Sequence, residues 1–324
     1  MRAILITETG GPEVLRLAEL PDPKPGPGQV LVEVAAAGVN FIDTYHRSGL
    51  YPMPLPFIPG AEGAGTVIGA GPGVDGLAVG ERVAWATNPG SYAELALVAA
   101  EKAVPVPEGV DLDTAASSLL QGMTAHYLTV SVHPVQSGET VLVHAAAGGM
   151  GLLLTQMITA RGGRVIGTVS TPEKDRLARA AGAAEVIRYT ELDDVAGEVR
   201  RLTGGAGVAT VYDGVGASTF DASLAALRPR GMLALYGASS GPVPPLDPQR
   251  LNSAGSVFLT RPSLAHYTAT REEFTWRAGE VFDAIQDGSL QITIGGRYPL
   301  ADARRAHTDL QCRRTTGKQL LLPR

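Results

Sequence analysis

The chain has 324 residues, about twice the ~150 expected of a single domain, so two domains are anticipated. Hydrophobic residues make up 44% and charged residues 18%, a mixture too apolar for intrinsic disorder. The net charge of -5 gives no bulk attraction to nucleic acid or an anionic membrane, and the single cysteine, Cys312, excludes an internal disulfide or a thiolate metal cluster.

In chain order, residues 1 to about 120 read as β-rich, with short apolar runs at Met1–Thr7, Val30–Ala35 and Gly65–Ile68 separated by Gly/Pro turns. Pro21, Pro23, Pro25 and Pro27 alternate, which predicts an extended surface connector. Met1–Leu17 lacks the apolar core and cleavage site of a secretory leader. No run reaches the ~20 apolar residues that span a bilayer. A soluble cytoplasmic protein without membrane or nucleic-acid partners is expected.

From about Val135 the pattern changes. Strand-like runs at Thr140–Ala145, Arg164–Val169, Glu185–Arg188, Val208–Tyr212, Met232–Tyr236 and Val257–Leu259 alternate with helical spacing at Gly151–Ala160, Pro172–Ala181 and Phe220–Leu227. This α/β alternation predicts a doubly wound parallel sheet with helices on both faces. Helices are expected again at Arg271–Asp287 and Ala301–Leu310, then a strand at Gln319–Leu322. The tail after about residue 262 has too few strands for a third domain, and is expected to pack onto the first.

The first strand of the alternating region runs into Ala146-Ala147-Gly148-Gly149-Met150-Gly151, an A-x-G-x-x-G pattern with Ala146 at the usual first glycine. Small residues there let backbone N–H groups approach a pyrophosphate at a helix N-terminus. The strand before it and the helix after it are the context that makes the motif informative. NAD-preferring folds carry an acid about 20 residues on, at the tip of the second strand. Here that tip is Val169-Ser170-Thr171, with Lys174 just beyond. The absent acid favours NADPH over NADH. Lys174 itself reads equally well as a phosphate partner or as a solvated lysine in a first helical turn.

The six histidines (46, 126, 133, 144, 266 and 307) form no close-spaced metal pattern, so no metal is expected. Gly237-Ala238-Ser239-Ser240-Gly241 matches the hydrolase nucleophile elbow G-x-S-x-G. The following Pro242-Val243-Pro244-Pro245 blocks the helix that elbow requires, so hydrolysis is not expected.

Gly10–Leu15, Gly38–Tyr45, Arg47–Pro52, the His144–Gly151 loop, Thr260–Leu264 and the Thr316–Pro323 end closely resemble the NADPH:quinone oxidoreductases, the zeta-crystallin-like, zinc-free branch of the medium-chain dehydrogenase/reductases. The resemblance runs nearly the whole chain. It implies a Rossmann-type doubly wound parallel sheet inserted in a β-rich GroES-like domain. Residues 1–122 plus 263–324 would form the GroES-like catalytic domain, and 123–262 the Rossmann nucleotide-binding domain. Zinc-dependent relatives read roughly G-V-C-x-x-D and P-G-H-E; here Asn40 stands at the cysteine and Ala61 at the histidine, and the four-cysteine structural lobe is absent.

By the same resemblance, the 2′-phosphate falls to Lys174, Tyr189 and Arg313. Asn40, Asp43, Tyr45 and Tyr51 would line the nicotinamide-side pocket, and Gly237, Ser240 and Leu259–Arg261 (both Leu259 and Arg261 included) its rim. Thr124, Ala147, Gly148, Gly149, Met150, Gly151 and Ser170 complete the cofactor set. One departure is Gln121, where the family often has Lys. Residue by residue, other roles stay open: Asn40 as a turn residue, Asp43 as a helix cap, Tyr45 and Tyr51 as half-buried packing.

The implied reaction is hydride transfer from NADPH to a quinone in the cleft between domains, with Asn40 or a tyrosine hydroxyl steadying the developing oxyanion. No residue has the signature of an obligatory acid, and one- and two-electron transfer both stay open. A rival keeps the fold but reduces α,β-unsaturated ketones or enoyl thioesters, with Tyr45 as proton donor. A rival of another class is a non-catalytic, crystallin-like or RNA-associated NADPH-binding protein. The resemblance also implies a homodimer through an edge strand, for which Val257-Phe258-Leu259 is apolar enough.

Overall fold

The computed structural model describes residues 1–324, which divide into two compact units: Met1–Met123 with Thr268–Arg324, and Thr124–Tyr267. In the first unit, Arg2–Leu5 and Arg16–Glu19 form an antiparallel ribbon. A proline-rich connector without regular structure leads to Gln29–Val39. This 11-residue strand is the spine of a seven-stranded sheet. It pairs antiparallel with Glu62–Ala70, Leu95–Ala99 and Lys318–Leu322. Its alternation sends Val30, Val32 and Val34 into a core with Val67, Val83, Trp85 and Val98.

The C-terminal segment thus enters the first unit's sheet one strand in from its edge. Lys318–Leu322 lies between Gln29–Val39 and the edge strand Ile294–Pro299, which runs parallel to it. The helix Arg271–Gln286 begins at Thr270, whose hydroxyl accepts from the Glu273 N–H, and buries Phe274, Ala278, Val281 and Phe282. Gly122 lets the helix Leu119–Tyr127 approach it: a Cβ there would sit 2.8 Å from Val281 Cγ1.

The second unit is a six-stranded parallel sheet in the order Glu185–Arg188, Arg164–Val169, Thr140–Val143, Val208–Asp213, Leu227–Leu235, Phe258–Thr260. Numbered within the unit this is 3-2-1-4-5-6, so the strand order reverses between Thr140–Val143 and Val208–Asp213. Ligands of doubly wound sheets bind at such a switch point. Val208–Asp213 is buried at every residue, as a central strand covered on both faces must be.

Two differences from the sequence reading have local causes. The fifth strand starts at Leu227 rather than Met232, with a register shift between Val208 and Thr210 that absorbs the Pro229-containing segment. The helices Phe41–Ser48 and Val195–Leu202 were not anticipated; each is only eight residues and carries a short apolar stripe. Beyond Leu235 no helix starts until Gln249, so the G-x-S-x-G segment is not a strand-to-helix elbow.

Candidate functional site

In the second unit, Thr140–Val143 delivers the chain into the glycine loop, and the helix Gly149–Ala160 leaves it. The loop turns at Ala145, whose φ of +52° is unusual for a residue with a Cβ. It is held there by Ala146 N–H donating to Thr168 O (3.0 Å) and Gly148 N–H donating to Ala145 O (2.9 Å). A Cβ on Gly151 would lie 2.3 Å from Ala145 O and 2.6 Å from Ala146 Cα, so only glycine closes this turn. The helix has Gly148 at its N-cap, no side-chain cap and no acidic residue in its first turn. Its N-terminal dipole and N–H groups therefore meet no acidic side chain from the helix's own cap or first turn, which suits a diphosphate.

At the second strand's end, Ser170 leads to Thr171, which caps the helix Pro172–Ala180 by accepting from Lys174 N–H (3.2 Å). Lys174 therefore sits in that first turn, and no carboxylate stands at the strand tip. Tyr189 opens the short helical turn after Glu185–Arg188, and Thr190 Oγ1 donates to Ser170 O (3.0 Å). Arg313 belongs to the first unit and takes φ +57° at the end of the helix Ala303–Gln311.

The rim residues are fixed from beneath. Gly237 passes so close to the neighbouring strand end that a Cβ would lie 2.4 Å from Gly214 O. Ser240 Oγ donates to Val215 O (2.8 Å) and accepts from Ser218 N–H (3.0 Å). Leu259 lies in the edge strand, with Arg261 just beyond it. Thr124 is nearly buried in the helix Leu119–Tyr127.

In the first unit, Asn40 ends the strand Gln29–Val39 and Asp43, Tyr45 and Tyr51 follow on and after the helix Phe41–Ser48. Tyr45 and Tyr51 meet edge to face at 5.2 Å, with Tyr51 partly exposed. Asn40 and Asp43 turn inward, and here the expectation that Asn40 steadies an acceptor oxygen is corrected. Its Nδ2 donates to Glu62 Oε2 (3.0 Å) and Gly38 O (3.3 Å), and its Oδ1 accepts from Lys318 Nζ (2.7 Å). Both amide hydrogens are used inside the protein. Asp43 is likewise consumed: Oδ2 accepts from Asn40 N–H (2.8 Å) and Tyr92 OH (3.0 Å), and Oδ1 from Ala61 N–H (3.2 Å). Through these bonds both residues fix the start of the helix that carries Tyr45.

The surrounding network was not legible in the sequence. Lys318 Nζ donates to both Asn40 and Glu62, and Glu62 Oε1 accepts from Leu120 N–H (2.8 Å). Arg47, buried, donates to Gly10 O, Gln311 and His307 Nδ1 (3.0 Å for the last). Since Nδ1 accepts, neutral His307 carries its proton on Nε2, donating to Tyr92 Oη (3.1 Å), which passes its own proton toward Asp43. Burial raises the Asp43 carboxyl to about 6, against the Asn40 N–H, the Tyr92 hydroxyl and the Lys318 charge, which lower it. Burial, then the Arg47 charge, depress His307 to about 3. Burial also lifts Tyr92 well above the usual phenol range.

His144, read only as one of six scattered histidines, is buried beneath the glycine loop with Thr168, Ser223 and Asp213. Its position one residue before the left-handed Ala145 was the available signal. No group of three or more His, Cys, Asp or Glu residues is arranged to hold a metal ion.

Comparison with known proteins agrees with this architecture. Residues 26–108 match the alcohol dehydrogenase GroES-like domain, and residues 149–278 the zinc-binding dehydrogenase family. The Pseudomonas aeruginosa quinone oxidoreductase is 48% identical over 97% of each chain. A Burkholderia 2-haloacrylate reductase is 44% identical over 99% of this chain and 98% of its own. A mycobacterial structure complexed with NADPH superposes with a TM-score of 0.97 at 58% identity over 100% of both chains. With a GroES-like domain, a 3-2-1-4-5-6 nucleotide sheet and such relatives along its length, the chain belongs to the quinone oxidoreductase family of the medium-chain dehydrogenase/reductases.

Proposed function

We propose that this chain is an NADPH-dependent quinone reductase that works without a metal ion. The observation that carries the reading is the second strand's tip, where Ser170 and Thr171 offer no carboxylate to a ribose hydroxyl and Lys174 stands in the first turn of the helix Thr171 caps. A 2′-phosphate there meets the Lys174 cation and a helix N-terminus; of the two acids in the same turn, Glu173 and Asp175, Asp175 is paired with Arg179 (2.7 Å). Tyr189, in the turn after the third strand of the same unit, adds a phenol to its shell. The glycine loop, Ala147 to Gly151, cradles the diphosphate, and Thr124, Gly237, Ser240, Leu259 and Arg261 hold the nicotinamide end. The relative complexed with NADPH supports the same choice.

When bound, NADPH supplies the hydride. The chain's residues orient the acceptor and stabilise the charge it gains. Tyr45 and Tyr51 offer ring faces and edges for a flat conjugated acceptor, and carry phenol groups beside it. Asn40 and Asp43 fix the start of the helix that carries Tyr45. Quinol oxygens take protons from water, so no protein acid is required. Metal independence rests on residue identity: Asn40 and Ala61 occupy the positions at which zinc relatives place ligands, and the Asn40 amide is bound to Glu62 and Lys318.

The test is NADPH oxidation with 1,4-benzoquinone and a naphthoquinone, beside NADH, before and after chelation with EDTA. Fast, NADPH-selective, EDTA-insensitive turnover is the expected result. Equal use of NADH would retire the Lys174 site, and loss with EDTA would retire metal independence. A second reading, reduction of a C=C bond conjugated to a carbonyl or carboxylate, is favoured by the 2-haloacrylate reductase relative. Turnover with 2-chloroacrylate or enones but not quinones would select it, with Tyr45 as proton donor.

No helix of the chain is long and apolar enough to cross a membrane. We further propose a cytoplasmic homodimer in which the edge strand Phe258–Thr260, with Phe258 58% exposed, pairs with its copy. A monomer mass in light scattering would refute the dimer.

A further inference from the structure

Beneath the switch point of the second unit runs a chain of buried side chains that the proposed reaction does not itself use. Asp213, at the end of its strand, accepts from Ser223 Oγ (2.7 Å). Having spent its one hydrogen, Ser223 Oγ accepts from His144 Nε2–H (2.9 Å). His144 Nδ1 is then an acceptor, and takes the hydrogen of Thr168 Oγ1 (3.0 Å). Thr168 Oγ1 in turn accepts from the N–H of Ala145 (3.3 Å), the left-handed residue of the glycine loop.

Every donor in this chain points the same way, from Ala145 to the Asp213 carboxylate. His144, Thr168, Asp213 and Ser223 are each at most 3% exposed, so no water competes and the bonds polarise one another. Burial depresses His144 below its ordinary range, consistent with the neutral Nε2–H form this direction requires. The other Asp213 oxygen accepts from Val215 N–H (2.8 Å) and Gly216 N–H (3.0 Å), and Thr219 Oγ1 donates to the carboxylate as well. Val215 is the residue whose carbonyl holds Ser240. One carboxylate therefore terminates hydrogen bonds from the glycine loop and from the loop that supports the rim.

We infer that His144, Thr168 and Ser223, with Asp213 as their common acceptor, are positioning residues that lock the glycine loop and the Gly214–Ser218 loop into one arrangement for binding NADPH. This rests on the NADPH reading. It makes affinity for the diphosphate–nicotinamide half depend on side chains that touch no ligand. Affinity for the adenosine 2′-phosphate end, assigned to Lys174 and Tyr189, does not depend on them.

The test compares wild type with Thr168→Val, Thr168→Ser and Ser223→Ala, titrated with NADPH by nicotinamide fluorescence and with adenosine 2′-monophosphate by calorimetry. NADPH Kd should rise about tenfold in Thr168→Val and in Ser223→Ala, the equivalent of one buried hydrogen bond. Thr168→Ser restores the hydroxyl and should bind NADPH as wild type does, while adenosine 2′-monophosphate binding stays constant throughout. Unchanged NADPH binding in the hydroxyl-less variants overturns the inference. So does a parallel loss of both ligands with a lowered melting temperature, which would mark a merely structural role. If wild type itself fails to bind NADPH, the cofactor reading fails and this inference with it, an outcome visible before any variant is examined.

Discussion

The two units solve the same problem, a buried carboxylate, in opposite ways. The first buries four charges together: Arg47, Asp43, Glu62 and Lys318 are all at most 2% exposed. Lys318 and Arg47 reach far along the chain, 278 residues to Asn40 and 260 to His307, while Asp43 is held by neutral donors 3 to 49 residues away. The second unit buries Asp213 with neutral donors only, drawn from residues 2 to 10 positions later. Charged, long-range pairing fastens the C-terminal segment to the sheet laid down at the N-terminus. Neutral, local pairing shapes loops. The first arrangement is costly to break at a single point, since removing one partner strands a charge in low dielectric. The second shares its load over several donors.

Lys318 is the sharpest place to break this contrast. Lys318→Met leaves Glu62 buried without its cation and should destabilise the first unit by about 3–5 kcal/mol. Removing the stranded charge as well, in Lys318→Met/Glu62→Gln, should recover much of the loss. Calorimetric unfolding of both variants checks this; equal destabilisation of single and double variants would mean the charge was not the cause.

The next effect is pH-dependent and confined to the first unit. Asp43 is raised from 3.8 to about 6, so between those values the folded chain keeps a proton that the unfolded chain has released. Its stabilising contribution is complete below the unfolded value and is lost as pH rises through about 6. His307 is lowered from 6.5 to about 3, so the unfolded chain takes up a proton that the folded chain refuses. That contribution is lost as pH falls from 6.5 toward 3. Within the shared window the two slopes, each about 1.4 kcal/mol per pH unit, oppose one another. Relative to wild type, His307→Gln should gain stability as pH falls from about 6 to about 4, and Asp43→Asn should lose it. Urea midpoints at several pH values decide; slopes of the same sign in both variants would dismiss the assignment.

The contrast also explains what the sequence revealed. Arg164–Val169 and Glu185–Arg188 are read with their observed ends because apolar β runs bounded by Gly and polar residues are local signals. The glycine loop is legible for the same reason, its geometry being set by its own small residues and the strand and helix beside it. Asn40 and Asp43 were legible as a turn residue and a helix cap, and the structure has Asp43 accept from the Asn40 N–H at the start of the helix; their buried partners Tyr92, Glu62 and Lys318 were not legible. Tyr92 is 49 residues from Asp43, and Lys318 is 256 from Glu62. Nothing in spacing along a chain encodes such pairs. His144 is intermediate: its Ser223 partner is 79 residues away, but its place before the loop was in view.

Tyr45 separates chemistry from scaffolding within the first unit. Tyr45→Phe keeps the ring against Tyr51 and removes only the hydroxyl. Quinone turnover should fall about tenfold, the worth of one charge-assisted hydrogen bond, with NADPH affinity unchanged. Asn40→Ala should instead lower stability, because it leaves Glu62 and Lys318 short of a partner. Equal turnover for Tyr45→Phe and wild type would withdraw the tyrosine from the mechanism.

The smallest effect tests load sharing around Asp213. Its Oδ1 has two backbone donors, Val215 and Gly216, while the hydroxyls of Thr219 and Ser223 reach Oδ2. Thr219→Val preserves the branched shape and removes one donor, yet each oxygen keeps a partner. The cost should be about 1 kcal/mol, well below that of Lys318→Met. Ser223→Ala made in that background takes the last side-chain donor from Oδ2, so its cost should exceed the cost of Ser223→Ala alone. A double-mutant cycle on urea unfolding of the second unit measures this excess. Strict additivity would mean that the donors act independently. A redundant shell predicts the reverse: the first loss costs no more than one hydrogen bond, and the second exposes what the carboxylate requires.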